Sequence, residues 1–358
     1  MHSASVPDCP PYMVAMISNV CNYRCPGCFH GMSDLKDFFA AHEKYMPFER
    51  FRRIADEVAP YGIKIGLNSL GEIFLNRDVY EILSYAHAKG LRTEFDTNGS
   101  LMDPQALAKS CPTDVIVSID GMDQQAYETY RKGGQLQRAL DNLADFAGRV
   151  SREKLPTKIY VKYLVNRYTE NTLEQAKSYF EALPGVSSFL LDYFVLPPPS
   201  YDYWFHHPNQ VPLDVYERWR PIKFSQFDMY VPDQKAGVAR HKATTNTQFA
   251  AVCQNVFKNL YVDTNGDAYP CCQAIKPMLP SRLHYPQELL YGNVFEGGVL
   301  GTFHGAKAQA FRAAFVEKGG RLPHCADCRS NYVERPLTII AEQTRAKGLK
   351  TLLDINTD

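Results

Sequence analysis

Three cysteines near the start of the chain have the residue type and the spacing to bind metal. Cys21, Cys25 and Cys28 form a C-x₃-C-x₂-C run that directly follows an apolar stretch, residues 13–17. A structural zinc site normally takes four protein ligands, often as C-x₂-C pairs. A cubane [4Fe–4S] cluster that takes only three thiolates keeps one iron open for a substrate or a cofactor. Three thiols in one short loop favour this second arrangement.

A second group of cysteines lies in the C-terminal third of the chain and consists of Cys253, Cys271, Cys325 and Cys328. An apolar run at residues 260–262 is followed by Asn265-Gly266, which predicts a β-hairpin whose second strand ends at Cys271. This hairpin and the C-x₂-C pair could close a Cys₄ site. Cys₄ ligation serves both iron–sulfur clusters and zinc ribbons, so the pattern alone leaves both open.

Strand and helix patterns alternate through the first half of the chain, and these elements must position the first thiols. The predicted strands cover residues 13–17, 62–67, 91–95, 115–119, 158–165 and 188–194. The predicted helices cover residues 48–59, 79–88, 104–109, 124–131, 136–150 and 173–183. This serial alternation predicts an α/β fold with a parallel sheet and right-handed crossovers, and a partial (β/α)₆ barrel is its natural closure.

The pattern changes after the sixth predicted strand. Residues 197–249 begin with three prolines and are rich in aromatic residues, with one predicted helix near 213–219. We interpret this segment either as a linker or lid beside a substrate pocket, or as packing between two domains. The predicted organisation is a barrel at 1–196, the linker or lid at 197–249, and a small cysteine-rich domain with a hairpin and a C-terminal helix at 250–358.

Composition limits the class of protein. Lys and Arg together number 39, as do Asp and Glu, so no net charge favours nucleic acid or an acidic membrane surface. No secretion signal precedes the first strand, and no apolar run approaches the roughly 20 residues that span a bilayer. Ten cysteines without a secretion signal indicate metal or redox chemistry rather than a disulfide framework. We therefore expect a cytoplasmic protein.

The first cysteine run resembles that of the radical S-adenosylmethionine (radical SAM) superfamily, in which the open iron binds the amino and carboxylate groups of SAM. The family's Gly-Gly-Glu segment, which binds the SAM amino group, corresponds to Leu70-Gly71-Glu72, with Leu70 in place of the first glycine. Further positions match those that line the ribose and methionine portions of SAM in the family: Thr97, Asn98, Ser118 and Asp120. The resemblance implies SAM and a SAM-binding [4Fe–4S] cluster.

The second cysteine group resembles the auxiliary-cluster extensions called SPASM and twitch domains. A full SPASM extension has further cysteines after its C-x₂-C pair, whereas no cysteine follows Cys328 here. The resemblance therefore implies one auxiliary [4Fe–4S] cluster, and two clusters in the whole protein. In zinc-binding proteins the same four ligands would hold zinc, so a zinc-binding structural protein is the alternative from a different functional class. Iron content separates the two.

The resemblance also implies a reaction. One electron, from a reductant such as flavodoxin or ferredoxin, cleaves SAM to a 5′-deoxyadenosyl radical, which abstracts a hydrogen atom from a substrate C–H bond. An auxiliary cluster that accepts the remaining electron gives a two-electron oxidation. This outcome, in which the protein is an oxidoreductase of the dehydrogenase type, is the leading hypothesis.

Two residues outside the cofactor motifs are candidates for catalysis. Cys272 stands where sulfatase-maturing relatives have an aspartate base, and could return a hydrogen atom to the substrate radical, which would make the protein an epimerase. Asp192, at the end of the sixth predicted strand, is a candidate base for the oxidation. The substrate is expected to be compact, such as a carbohydrate, aminocyclitol or nucleoside-like intermediate of natural-product synthesis. A maturase of ribosomally made peptides remains an alternative.

Overall fold

The structure is a computed structural model, and it describes residues 5–68, 70–207, 209–242, 253–272, 287–326 and 328. Its strands are β1 Tyr12–Ala15, β2 Lys64–Gly66, β3 Arg92–Thr97, β4 Asp114–Ser118, β5 Lys158–Val165, β6 Val186–Tyr193, β7 Gln210–Pro212, β8 Tyr230–Asp233, β9 Val238–His241, β10 Asn259–Val262, β11 Asp267–Tyr269 and β12 Gly292–Asn293.

Most of the α-helices lie between these strands. They are α1 Lys36–Ala41, α2 Phe48–Val58, α3 Val79–Ala88, α4 Pro104–Ser110, α5 Gln124–Tyr130, α6 Leu136–Glu153, α7 Leu173–Ala182, α8 Tyr201–His206, α9 Leu213–Trp219, α10 Asn255–Lys258, α11 Val294–Gly297, α12 Val299–Phe303, α13 Ala306–Glu317 and α14 Pro323–Ala326. Within the described ranges, no helix is both long and apolar enough to cross a bilayer.

The first six strands form a parallel sheet in chain order, as the sequence predicts. Each pairs with the next in parallel register, for example Tyr12 with Lys64 and Ser118 with Lys162. β4 is buried along almost its whole length, because helices cover one face and the barrel interior the other. The α/β class and the partial barrel are confirmed.

The amphipathic helices of the barrel pack against the outside of this sheet. Their apolar positions recur every three to four residues, which places them on one face. In α6 that face is formed by Leu136, Ala139, Leu140, Leu143, Phe146, Ala147 and Val150. This packing fixes the loops that leave the carboxyl ends of the strands.

The predicted hairpin is present, and it extends the sheet of the barrel. β10 and β11 are antiparallel, and β10 also pairs in parallel with β1, from Tyr12 opposite Asn259 to Ala15 opposite Val262. The sheet therefore has nine strands in the order β12-β11-β10-β1-β2-β3-β4-β5-β6. The predicted C-terminal helix beyond residue 328 lies outside the described residues.

The segment between barrel and hairpin is more ordered than its composition suggests. The predicted helix at 213–219 is present as α9, and the structure adds α8 and a small sheet in the order β7-β9-β8. Two buried or half-buried acids hold the segment on the barrel. Asp34 accepts hydrogen bonds from the N–H groups of Tyr201 (3.1 Å) and Asp202 (3.0 Å), and Glu170 accepts three from residues 222–224.

Candidate active site

The thiol loop follows β1 at the carboxyl ends of the parallel strands, where barrel enzymes gather their ligands. The N–H of Cys28 donates to the carbonyl of Cys25 (2.9 Å), and the N–H of Tyr23 donates to Cys21 Sγ (3.4 Å). Burial raises the pKa of Cys21 to about 12 and that of Cys25 to about 11, and repulsion from the neighbouring thiols adds to both shifts. Thiolates here need a nearby positive charge, which a metal centre supplies.

Glu72 is the centre of a buried set of acceptors beside this loop. Its carboxylate accepts hydrogen bonds from the Thr97 hydroxyl (2.8 Å), the Asn98 N–H (2.8 Å) and the Phe74 N–H (3.3 Å). The residue is 2% exposed, and burial raises its pKa to about 7 although all three donors act in the opposite direction. A buried carboxylate of this kind can bind a cation such as an ammonium group.

Gly71 brings the chain close enough to the thiol loop for Glu72 to reach it. Its φ is +84°, and a Cβ there would lie 2.6 Å from the Ser18 carbonyl oxygen and 2.9 Å from that of Val20. Only glycine fits both constraints. Leu70, by contrast, is buried and is absent from the described non-glycine residues with positive φ. This explains why the family's first glycine can be replaced here.

A closed network of polar side chains joins the thiol loop to the end of β3. Asn22, which follows the first cysteine, accepts a hydrogen bond from Asn98 Nδ2 (2.9 Å) and donates to the Ser100 hydroxyl (3.0 Å). The Ser100 hydroxyl in turn donates to Asn98 Oδ1 (2.6 Å). The loop and the Glu72 set are therefore held in one fixed arrangement. Asn22 and Ser100 were not predicted as site residues.

Asp120 is fully buried and is linked to the thiol loop through Arg131. Its Oδ2 pairs with Arg131 Nε (2.5 Å) and its Oδ1 accepts the Leu164 N–H (2.7 Å). Arg131 Nη1 lies 4.0 Å from Cys25 Sγ. Asp120, Cys25 and Tyr130 hold the pKa of the Arg131 guanidinium well above its usual range despite burial. Sequence reasoning missed Arg131, because one arginine at a helix end carries no distinguishing local signal.

The remaining predicted residues of the barrel lie inside it. Ser118 ends β4 and is buried opposite Lys162 of β5. Lys162 forms an ion pair with Asp96 of β3. Burial alone would lower the pKa of Lys162, but the charges of Asp96 and Asp192 outweigh it and the pKa is raised. The structure thus brings Asp192 near a lysine and a second aspartate that were not predicted.

The C-terminal cysteines gather around Tyr291 and α14. The charges of Cys328 and Cys253 add to burial in raising the pKa of Cys325 to about 12, so these three thiols are neighbours. The N–H of Cys328 also donates to the Cys325 carbonyl (3.2 Å). Cys271 and Cys325 both act on the buried Tyr291, and burial raises its pKa. Cys325 is therefore a neighbour of Cys253 and Cys328, and it shares Tyr291 as a neighbour with Cys271.

Cys271 and Cys272 both lie near Tyr261 of β10. Tyr261 of β10 forms a side-chain hydrogen bond with Cys272, and the charge of the thiol also acts on Tyr12 of β1. Tyr12 in turn donates to Glu94 of β3 (3.3 Å), so this thiol lies on the side of the barrel.

The thiol positions bear on which metal group they fit. In the part of the chain that the structure describes, no three His, Cys, Asp or Glu side chains converge closely enough to hold one metal ion. A zinc site needs its four ligands around a single ion. A [4Fe–4S] cluster takes each thiolate on a different iron, so its ligands are spread around the cluster. Three thiols in the first loop and four in the second group are of the type that such clusters bind.

Comparison with known proteins gives relatives that share part of the sequence and solved structures that share the fold. Fe-coproporphyrin III synthase of Methanosarcina barkeri is 27% identical over 163 residues, which are 45% of this chain and 38% of that protein. SuiB of Streptococcus suis is 15% identical and has a TM-score of 0.56, with 86% of this chain and 69% of that chain covered. The protein anSMEcpe with bound AdoMet is 16% identical, with a TM-score of 0.51 and 94% of each chain covered.

Two family models match the chain. A radical SAM superfamily model matches residues 16–178, which contain the first thiol run and the Glu72 set. The SPASM model, an iron–sulfur cluster-binding domain, matches residues 253–329, which contain all four C-terminal cysteines of the second site. The chain therefore belongs to the radical SAM superfamily, carries a C-terminal SPASM-type domain, and has SAM and [4Fe–4S] clusters as its cofactors.

Proposed function

We propose that this protein is a radical SAM oxidoreductase that oxidises a small polar substrate by two electrons. The observation that carries the proposal is the hydrogen-bonded link from the thiol loop to Glu72, through Asn22 and Asn98, which keeps a cation-binding carboxylate beside three thiols. When bound, SAM and the clusters supply hydrogen-atom abstraction from a C–H bond and one-electron transfer. The chain's own residues must bind, orient and shield the reactants.

The site residues divide by the part of the cofactor that each would hold. We assign the SAM-binding cluster to Cys21, Cys25 and Cys28, and the SAM amino group to Gly71 and Glu72. Thr97 and Asn98 hold the Glu72 carboxylate, and Ser118 lies at the end of the neighbouring strand.

Asp120 acts through Arg131. Because both oxygens of Asp120 are already engaged inside the protein, its part in the proposal is to fix the Arg131 guanidinium beside the thiol loop. A guanidinium in that place suits the carboxylate of SAM, since bidentate pairing with carboxylates is a property of arginine.

For the C-terminal part we propose one auxiliary cluster, held by Cys253, Cys271, Cys325 and Cys328, in a domain that covers 250–358 after a barrel at 1–196 and a lid at 197–249. Of the two adjacent thiols we propose Cys271 as the ligand, because it lies near Tyr291 together with Cys325. Asp192 is our candidate base. This chain matches less than half of the length of Fe-coproporphyrin III synthase.

A radical epimerase is the second candidate, and the position of Cys272 favours it. This thiol is hydrogen-bonded to Tyr261 and lies on the barrel side of the hairpin, where it could deliver a hydrogen atom to a substrate. If the reaction is run in deuterated solvent, an epimerase should incorporate deuterium into its product, and the Cys272→Ala variant should not. A product oxidised by two electrons, without solvent deuterium, would identify the oxidoreductase. Modification of a peptide, rather than of a small molecule, would identify a peptide maturase.

The test is iron and sulfide content together with SAM cleavage, measured on protein purified and reconstituted without oxygen. We expect about eight irons per chain, and about four in a variant with Cys21, Cys25 and Cys28 changed to Ala. With dithionite, the wild type should form 5′-deoxyadenosine and methionine, and the variant should form neither. Exchange of Cys111, which has no place in the site, for Ala is the control. Stoichiometric zinc without iron would refute the proposal.

A further inference from the structure

Two clusters of charged side chains lie inside the barrel, and each consists of one lysine and two carboxylates. The inner cluster is formed by Lys64, Glu94 and Asp114 toward the amino ends of the strands. The ammonium of its lysine lies 2.5 Å from a Glu94 oxygen and 2.9 Å from an Asp114 oxygen. The Tyr12 hydroxyl also donates a hydrogen bond to Glu94. Both carboxylates pair directly with the lysine, which is the pattern of a structural ion network.

The outer cluster is formed by Asp96, Lys162 and Asp192 at the carboxyl ends of β3, β5 and β6. One acid of this cluster reaches the barrel interior space: the side chain of Asp96 is 45% exposed, whereas Lys162 is 18% exposed and as buried as Lys64 of the inner cluster, at 21%. Lys162 has three N–H donors. Within the described residues it gives one to Asp96, and Asp192 acts on it through charge. Donors therefore remain for a ligand.

An apolar layer separates the two clusters and consists of Ile116, Tyr160 and Leu190. Each member stands two positions before a polar residue of its own strand: Ser118, Lys162 and Asp192 respectively. Because residues two apart share one face of a strand, both sets face the barrel interior. The outer cluster thus rests on an apolar floor and opens toward the cofactor residues.

The outer cluster is also close to the residues assigned to SAM. The charge of Asp96 contributes to the raised pKa of Glu72, and the charge of Arg131 acts on Lys162. Substrate must bind next to SAM for a hydrogen atom to be abstracted, since reacting groups have to be held in contact. A partly exposed polar cluster in this position is therefore placed for substrate and not only for stability.

We propose that Asp96, Lys162 and Asp192 form the substrate site, and that it binds neutral or cationic polyhydroxylated molecules in preference to acids. This inference rests on the proposed function. The ammonium of Lys162 would donate to a substrate oxygen, while Asp192 would accept from a hydroxyl or ammonium group. Asp96 is a positioning residue that keeps the ammonium charged and in place. The two carboxylates outnumber the lysine, so a substrate carboxylate is repelled.

The test is calorimetric binding of small probes to the reconstituted holoenzyme with SAM. The probes are myo-inositol, ribitol, glucosamine and, as the acidic counterpart, glucuronate. We expect at least one polyol or the amino sugar to bind and glucuronate not to bind. In Lys162→Met and in Asp192→Asn, affinity for that probe should fall about tenfold or more, as for other hydrogen bonds to charged groups. Arg149→Met, in an exposed ion pair of α6, is the control.

Two further measurements keep the outcomes distinct. Lys162→Arg retains the charge and should retain most of the binding, so it serves where Lys162→Met fails to fold. Unchanged affinity in Asp192→Asn and Lys162→Met, preference for glucuronate, or no binding of any polyol or of glucosamine would each overturn the inference. Failure of the proposed function appears separately, as absence of 5′-deoxyadenosine from the wild type with dithionite and SAM.

Discussion

At the scale of single residues, Glu72 connects burial, protonation and cofactor binding. Burial raises its pKa from 4.5 to about 7, and the charge of Asp96 acts in the same direction. A raised pKa means that the folded protein without SAM binds this proton more tightly than the unfolded chain does. The contribution of Glu72 to stability is then complete below about pH 4.5 and is lost as the pH rises through about 7.

The same shift predicts how SAM affinity depends on pH. An ammonium group favours the ionised carboxylate, so SAM must displace the proton of Glu72 below about pH 7. We expect affinity to fall with decreasing pH, by up to about tenfold per unit below that pKa. Equilibrium dialysis with labelled SAM between pH 6 and pH 8 measures this. The side chain in Glu72→Gln cannot ionise, so the curve of this variant gives the pH dependence that all other groups, including Asp96 and Cys21, contribute to SAM affinity. Parallel curves for the two proteins would contradict the prediction.

The residue scale also shows what the sequence can and cannot reveal. Cys21, Cys25, Cys28, Gly71 and Glu72 lie in short local motifs, so they could be found without a structure. Lys162 and Asp96 could not, because 65 intervening residues separate them and only the register of the parallel strands brings them together. Nothing in the local sequence around either residue differs from an ordinary exposed charge.

At the scale of elements, the predictions were best for long periodic segments and poorest for short ones. The predicted helix at 79–88 has the bounds of α3, since its apolar residues repeat with the helical period. The sheet β7-β9-β8 was missed because its strands have only three or four residues. Such strands are too short to show an alternating pattern, and prolines within them argue against strand.

Glu170 holds the chain after α9 by hydrogen bonds to three backbone N–H groups. Its Oε2 accepts the N–H groups of Ile222, Lys223 and Phe224 at 2.9, 2.7 and 3.2 Å, and so fixes the chain after α9. Glu170→Ala removes the acceptor of all three hydrogen bonds, at a cost of about 0.5–1.5 kcal/mol for each, since Ile222 and Lys223 lie at the surface where water can reach them. We expect faster amide hydrogen exchange at 222–224 by about tenfold or more.

Hydrogen exchange followed by mass spectrometry measures this effect, and Glu174→Ala on the exposed face of α7 is the matched control. Exchange at α2, which is remote from Glu170, should stay unchanged in both variants. Equal exchange at 222–224 in the two variants would show that other contacts hold the segment.

At the scale of the whole molecule, the C-terminal region is joined to the barrel by more than a linker. β10 pairs with β1 and so continues the sheet of the barrel. Residues 295–300 also contact α2. Glu57 of α2 accepts the N–H groups of Val299 (2.7 Å) and Leu300 (2.9 Å), and Arg53 donates to the Phe295 carbonyl (2.6 Å). The hairpin and the helices that follow it are therefore fixed on the barrel.

This arrangement predicts that the barrel is less stable without the C-terminal region. A chain that ends at residue 242 would expose the edge of β1 and lose the burial of Leu260 and Val262, which are both fully buried against the barrel core. Unpaired strand edges promote association, so we expect aggregation and a thermal midpoint lowered by about 4 °C or more, since each 1 kcal/mol lost shifts it by about 2–4 °C in chains of 150–250 residues. A chain that ends at residue 328 keeps β10, β11 and β12 and is the matched control. Size-exclusion chromatography and calorimetry measure both effects. A monomeric 1–242 chain with the midpoint of the control would mean that β10 contributes nothing to the barrel, and that the two parts are independent folding units.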